Sequence, residues 1–243
     1  MNAIEIHELT KQYKDKTAVD RLTLDIKQGE LFALLGVNGA GKTTTVKMLS
    51  CLIKPTSGDA RIMGYSITKE PEKVKQIINV SPQESAAALN LTVRENLEFI
   101  AQIYGYSAVE AKKAAIDIIE EMSLESVSSS KAKILSGGYM RRLSIAMSVI
   151  TKPQILFLDE PTLGLDVLAR RELWGVIERL KEKTTVILTT HYMEEAEQLA
   201  DRIAIISSGR LRASGSAEQL KAESGTNTLE DAFVKIASAQ DDK

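Results

Sequence analysis

Cysteine is almost missing from this sequence. Cys51 is the only one in 243 residues, so no intramolecular disulfide can form and no cysteine-rich metal site exists. Net charge is also small: Lys and Arg total 31 against 33 for Asp and Glu, a balance of -2. That removes any general electrostatic reason to bind nucleic acid or an anionic membrane, leaving only a local patch. Long apolar runs are absent too. Stretches such as residues 31–35 fall far short of the ~18 residues of a membrane span, and residues 1–11 lack the apolar core of a signal peptide. The expectation is a soluble, cytosolic chain that relies on another chain for any membrane-spanning part. With 44% apolar and 26% charged residues, disorder and fibrous repeats are excluded, and one large or two small globular domains fit.

Short apolar runs alternate with longer amphipathic ones. Residues 4–9 and 22–26 alternate like half-buried strands, and 31–35 reads as a buried strand. A glycine-rich turn over 36–41 leads into a helix predicted over 42–52, closed by Pro55 and Gly58. Residues 77–80 read as another buried strand. Between 92 and 122 the pattern turns helical, with Leu97, Ile100, Ala101 and Tyr104, then Ala115, Ile118, Ile119 and Met122, at helical spacing. Residues 126–130 form a polar break, and a further helix is predicted over 140–150. Strand signatures return at 155–158, 185–188 and 203–206, with a helix near 170–181. This alternation predicts a mainly parallel sheet flanked by helices, interrupted by an all-helical insert over about 84–150. The last 28 residues or so carry one amphipathic segment, 229–236, before a polar end expected to fray.

Gly36-Val37-Asn38-Gly39-Ala40-Gly41-Lys42-Thr43 fits G-x-x-x-x-G-K-[ST] between a predicted strand and a predicted helix. Glycines let the backbone fold tightly enough for successive N–H groups to face phosphate oxygens, and the helix start adds its positive end. Lys42 is expected at the β- and γ-phosphates and the Thr43 hydroxyl on Mg²⁺. A glycine-rich helix cap is the plainer reading, but the strand–turn–helix context favours a nucleoside-triphosphate site. Asp159 and Glu160 end the apolar run 155–158. Alone such a pair is more often a solvated turn. Beside a phosphate loop, Asp159 is expected to hold hydrated Mg²⁺ and Glu160 to polarise a water in line with the γ-phosphate. His191 follows the strand-like run 185–190 and is placed to sense that phosphate. His7, in the first predicted strand, carries no role.

The phosphate loop, Ser81-Pro82-Gln83, Leu135-Ser136-Gly137-Gly138, Leu158-Asp159-Glu160-Pro161-Thr162, Gly164-Leu165-Asp166 and His191 stand in the order seen in ATP-binding cassette (ABC) transporter ATPases, and the sequence resembles that family over roughly residues 4–215. The resemblance implies an α/β fold: a phosphate-loop NTPase (RecA-like) core with an antiparallel β subregion and an all-helical insert. One ATP-binding domain would cover 4–234, with its core at about 1–83 and 151–215, the insert at about 84–150, and a tail at 216–243. It also implies that Tyr13 stacks on adenine. Gly36, Val37, Asn38, Gly39, Ala40, Gly41, Lys42, Thr43 and Thr44 would cradle the phosphates. Gln83 would reach Mg²⁺ and the attacking water. Ser136, Gly137 and Gly138 would complete the ATP site of the opposite subunit, and Asp166 would belong to the loop crossing the dimer seam. Two positions depart from the family pattern: Tyr139 replaces a glutamine of the signature, and Leu163 a serine of the crossing loop.

The resemblance further implies a head-to-tail dimer sandwiching two ATP, and a peripheral position on the cytoplasmic face of the membrane beside a multi-spanning permease, working in export. Residues 91–97 and 228–233 resemble that export-type subfamily. For the first, a capped helix start (Thr92 with Glu95) is an equally good reading; for Phe233, ordinary packing of a terminal helix is preferred. Soluble cassette machines acting on ribosomes or DNA carry paired cassettes or coiled-coil insertions, and neither these nor a basic run occurs here, so no nucleic-acid partner is expected. A metabolite kinase would leave Leu135–Gly138 and His191 unexplained. The cargo is not readable from this chain.

Overall fold

The computed structural model describes residues 1–238; the polar end expected to fray lies largely outside them. The chain opens with two long strands, β1 (Asn2–Tyr13) and β2 (Lys16–Lys27), followed by β3 (Leu31–Leu35) and the helix α1 (Lys42–Leu49). Next come β4 (Ser57–Ile62), β5 (Tyr65–Ser66), α2 (Pro71–Ile77) and β6 (Ile78–Ser81). Three helices then follow in succession: α3 (Val93–Ile103), α4 (Ala108–Glu121) and α5 (Gly137–Val149). Strand–helix alternation resumes with β7 (Ile155–Asp159), α6 (Val167–Leu180), β8 (Thr185–Thr190), α7 (Met193–Leu199), β9 (Arg202–Ser207) and β10 (Arg210–Gly215). The described chain ends in α8 (Ala217–Ser224) and α9 (Leu229–Ser238).

Two sheets result. One is antiparallel, in the order β2-β1-β4-β5; the other runs β10-β9-β3-β8-β7-β6, parallel throughout except for β10. β3, β7 and β8 are buried at every position, which explains the apolar run in each (31–35, 155–158 and 186–188): a parallel sheet covered on both faces has no solvent side. Alternate residues serve the two faces. Phe32 and Leu34 join Phe157 and Ile187 against α1 and the antiparallel sheet. On the other face, Leu31, Leu156, Leu158 and Leu188 meet α5 and α6, while Ala33, Leu35, Ile203 and Ile205 meet α7, α8 and α9. Phe233 is buried in that last cluster, so it does pack as an ordinary core side chain, beside Ala217, Leu220 and Leu229.

Several expectations shift. The helix expected over 42–52 stops at Leu49, because Ser50 leaves helical geometry and Cys51 adopts a left-handed φ of 57. The strand expected over 77–80 lies one residue later, at a sheet edge, where Asn79 and Val80 are only half-buried. The helical pattern over 92–122 divides at Gly105, whose φ is 91. Thr92 and Ser107 each cap the following helix in a reciprocal box with Glu95 and Glu110.

Candidate active site

The sheet register assembles the site. Leu35 pairs with Thr190 and Asp159 with Thr189, so the phosphate loop after β3, the acidic pair ending β7 and His191 after β8 emerge side by side. Ser81 pairs with Leu158, bringing Gln83 to the same edge. Ligands of open parallel sheets gather at such carboxyl ends.

The phosphate loop turns through left-handed backbone at Gly39 (φ 81) and Gly41 (φ 109). A Cβ on Gly41 would stand 2.5 Å from the Ala18 carbonyl oxygen, so only glycine fits between the loop and β2. α1 starts there with no side-chain cap, leaving its first N–H groups facing the cleft. The Lys42 ammonium folds back, donating to the Gly36 carbonyl at 2.7 Å and the Val37 carbonyl at 3.3 Å. It also lies 3.2 Å from Glu160 Oε1.

Asp159 and Glu160 are both buried. Asp159 Oδ1 accepts from the Thr43 hydroxyl at 3.3 Å and from the Thr189 hydroxyl. Glu160 has a left-handed φ of 49, an unusual state for a side chain of its size, held by its N–H donating to both oxygens of Thr189. Its Oε2 sits 2.6 Å from His191 Nδ1, so its carboxylate bridges Lys42 and His191. Lys42, Glu160 and His191 line one cleft of about 490 Å³ together with Tyr13, Asn38, Gly39, Ala40, Gly41, Thr43, Thr44 and Gln83, and Asp159 lies just behind it on the Thr43 hydroxyl. Tyr13 is half-exposed at the mouth, with the Lys11 ammonium 5.2 Å from its ring centre. Lys16, Ala18 and Leu163 also line the cleft; the first two come from the antiparallel sheet and carry no motif that could have flagged them.

A family profile described as "ABC transporter" matches residues 19–163, more than half of the chain. The chain belongs to the ABC transporter family. A shorter match, over 140–195, is to an AAA domain described as a putative AbiEii toxin of a type IV toxin–antitoxin system. Over 228 residues the chain is 43% identical to the daunorubicin/doxorubicin resistance ATP-binding protein DrrA of Streptomyces peucetius, covering 93% of this chain and 69% of that one. It is 41% identical to the linearmycin resistance ATP-binding protein LnrL of Bacillus subtilis (strain 168), covering 93% and 73%. Among solved structures, an ATP-binding subunit of an ABC transporter superposes with a TM-score of 0.84 at 29% identity, covering 97% of this chain and all of the other. A dimeric ATP-binding cassette solved after hydrolysis with ADP and Pi gives 0.78 at 27%, covering 88% and 98%.

This ABC protein is thus an ATP-binding, ATP-hydrolysing subunit with the mixed α/β fold of ABC cassettes, which dimerise and work with a membrane permease. No described helix is long and apolar enough to cross a membrane. Its signature residues Ser136, Gly137 and Gly138 do not line the cleft: they open α5 beside Leu165 and Ala169, with Ser136 and Gly137 exposed and no side chain capping the helix. Asp166 is also outside the cleft, its Oδ1 accepting at 2.9 Å from the Leu168 and Ala169 N–H groups as the cap of α6. Tyr139 packs into the helical segment, under the Arg142 guanidinium at 5.0 Å, while Leu163 stays exposed.

Glu195, behind the site on α7, escaped the motif search because one acidic residue in a polar helix carries no signal. It is fully buried, and its Oε1 accepts from the Trp174 indole N–H at 3.3 Å. Burial raises its carboxyl above the ordinary range, offset in part by the neighbouring Thr190 and Thr162 hydroxyls and the Trp174 indole. The fold therefore favours the acid form. That contribution is full below the unfolded pKa of about 4.3 and is lost as pH rises through the higher folded value. Glu195→Gln keeps a neutral group there, so its melting temperature is expected to gain on the wild type between about pH 5 and about pH 8. Parallel melting curves for the two proteins across that range would refute a neutral Glu195.

Proposed function

We propose that two copies of this chain pair head to tail around two ATP molecules and drive a multi-spanning permease in outward transport, from the cytoplasmic face of the membrane. The observation carrying this reading is a division of labour on one surface. Lys42, Glu160 and His191 converge in the cleft, with Asp159 behind Thr43, while the signature residues face outward elsewhere on an uncapped helix start suited to a phosphate. A second copy supplies what each cleft lacks. One domain over about 4–234 holds the core, the helical insert at about 84–150 and, from 216, the C-terminal tail.

In this reading Tyr13 stacks on adenine, and the backbone N–H groups of residues 36–44 with Lys42 hold the phosphates. Glu160 takes a proton from water as it attacks the γ-phosphorus, the bond to the β–γ bridging oxygen breaks and ADP leaves with phosphate, and His191, 2.6 Å from that carboxylate, orients it and contacts the γ-phosphate. Gln83 positions the same water. The donors fit Mg²⁺: the Thr43 hydroxyl and Asp159 carboxylate lie side by side, and the described residues hold no cluster of three His, Cys, Asp or Glu that would cage another metal. Mg²⁺ characteristically takes one or two protein oxygens, water and substrate phosphates, with Gln83 a further oxygen ligand here, and neutralises phosphate charge. Asp166 carries the crossing loop to the seam.

For the permease, the helical segment displays Phe99, Ile103, Tyr104, Val109 and Ile116, each more than half exposed, an apolar surface of the kind that marks an interaction site. Outward direction is supported by relatives named as resistance ATP-binding proteins. Tagged Glu160→Gln protein with ATP, applied to detergent-solubilised membranes of the source cell, is expected to retain a multi-spanning protein in near-equal amount. Ribosomal or other soluble proteins in its place would overturn the transport reading and leave the ATPase chemistry intact.

A further inference from the structure

One turn into α5, just beyond the signature, the Arg141 side chain is buried and turned toward the molecule's own cleft. Its guanidinium makes hydrogen bonds only to main-chain carbonyls, and these come from two stretches far apart in sequence, 82–83 and 159–161. Nη1 donates to the carbonyls of Pro82 and Gln83, Nη2 to that of Asp159 at 2.8 Å, and Nε to that of Pro161 at 2.8 Å. Burial lowers its pKa to about 10, opposed by the negative charge of Asp159, so it keeps its proton at neutral pH. One planar fork thus holds the loop bearing Gln83, the strand end bearing Asp159 and Glu160, and the turn leading to the crossing loop. Its neighbour Arg142 points the other way, to the Ser123 carbonyl, Glu172 and the Tyr139 ring, and touches none of these segments.

α5 therefore joins two functions at its first two turns: an outward phosphate-binding end and an inward clamp on the catalytic backbone. We propose that Arg141 is a positioning residue that couples the nucleotide engaged by Ser136–Gly138 in the opposite copy to the placement of Gln83 and Glu160 in its own cleft. This rests on the head-to-tail reading. A rigid helix whose N-terminus is drawn toward one ATP carries the guanidinium with it, and the four carbonyls follow because a buried guanidinium cannot drop a partner without cost. Each site then responds to the occupancy of the other, a reciprocal coupling.

Arg141→Lys keeps the charge but not the fork. Its ATPase kcat is expected to fall about 10- to 100-fold, within the range of displaced catalytic geometry. The Hill coefficient for ATP should fall toward about one, while binding of a fluorescent ATP analogue to the monomer stays within about threefold, since no nucleotide contact is removed. Arg141→Gln, which retains one donor group, serves if the lysine variant folds poorly. Arg142→Lys is the matched control, expected to lower thermal stability and leave cooperativity as in the wild type. Wild-type cooperativity in both Arg141 variants overturns the proposal, as does a loss shared equally by Arg142→Lys, which would mark a merely structural arginine. Size-exclusion of Glu160→Gln in ATP separates the two levels. A dimer there with cooperative Arg141 variants defeats the coupling alone, whereas a monomer defeats the head-to-tail reading and the coupling with it.

Discussion

Replacing Glu160 with Gln is expected to lower ATP turnover by about 10²–10⁴-fold, the usual contribution of a positioned general base, while ATP binding persists. The geometry argues for this split. Glu160 contacts His191 at 2.6 Å and Lys42 at 3.2 Å, and the amide has the same size and reach but a far weaker affinity for a proton. The backbone should hold, because the left-handed φ of 49 is maintained by the Glu160 N–H on both oxygens of Thr189, which the substitution does not touch. Lys42 loses its anionic partner and becomes freer to bind phosphate. With hydrolysis blocked, the closed state favoured by ATP persists, so size-exclusion chromatography in ATP should show a dimer. Turnover above about a tenth of the wild-type rate would fall outside general-base removal and take Glu160 out of that role.

The second large effect is expected at Gly41. Its φ of 109 lies in the region that side chains rarely adopt, and an added Cβ would stand 2.5 Å from the Ala18 carbonyl oxygen, with Val19 and Gly209 close behind. The left-handed backbone costs roughly 1–2 kcal/mol and the forced displacement roughly 1–3 kcal/mol. Together, about 2–5 kcal/mol should lower the melting temperature by about 4–20 °C in a chain of this size. Nucleotide affinity should fall further than stability, because the loop N–H groups must all aim at one group of phosphates. Gly29→Ala is the control: φ there is 75, but no atom lies within 4 Å of an added Cβ, so only the backbone cost applies. Equal losses in the two variants, by thermal melt and fluorescent-nucleotide titration, would show that the contact with Ala18 does not matter.

Much of this was legible in the sequence, for identifiable reasons. β3, β7 and β8 announce themselves because a strand covered on both faces is apolar along most of its length, here 31–35, 155–158 and 186–188. The phosphate loop is equally visible, since its chemistry depends on glycine spacing within a few residues. β4 and β10 were not visible: each has one or two buried residues among polar ones, and their place depends on hydrogen bonds to β1 and β9. α7, with seven residues, is too short for a periodic signal, although it carries the buried Glu195.

Local patterns alone supply the chemistry on offer: a phosphate cradle at 36–43, an acidic pair at 159–160, a histidine at 191 and a signature at 136–138. Only the tertiary structure decided that they meet. Strand order and register put β8 between β3 and β7, so side chains more than a hundred residues apart stand within 3.3 Å. Only the fold, too, turns Arg141 toward the cleft and Arg142 toward the helical segment from adjacent positions, since the direction of a helical side chain depends on what the helix packs against.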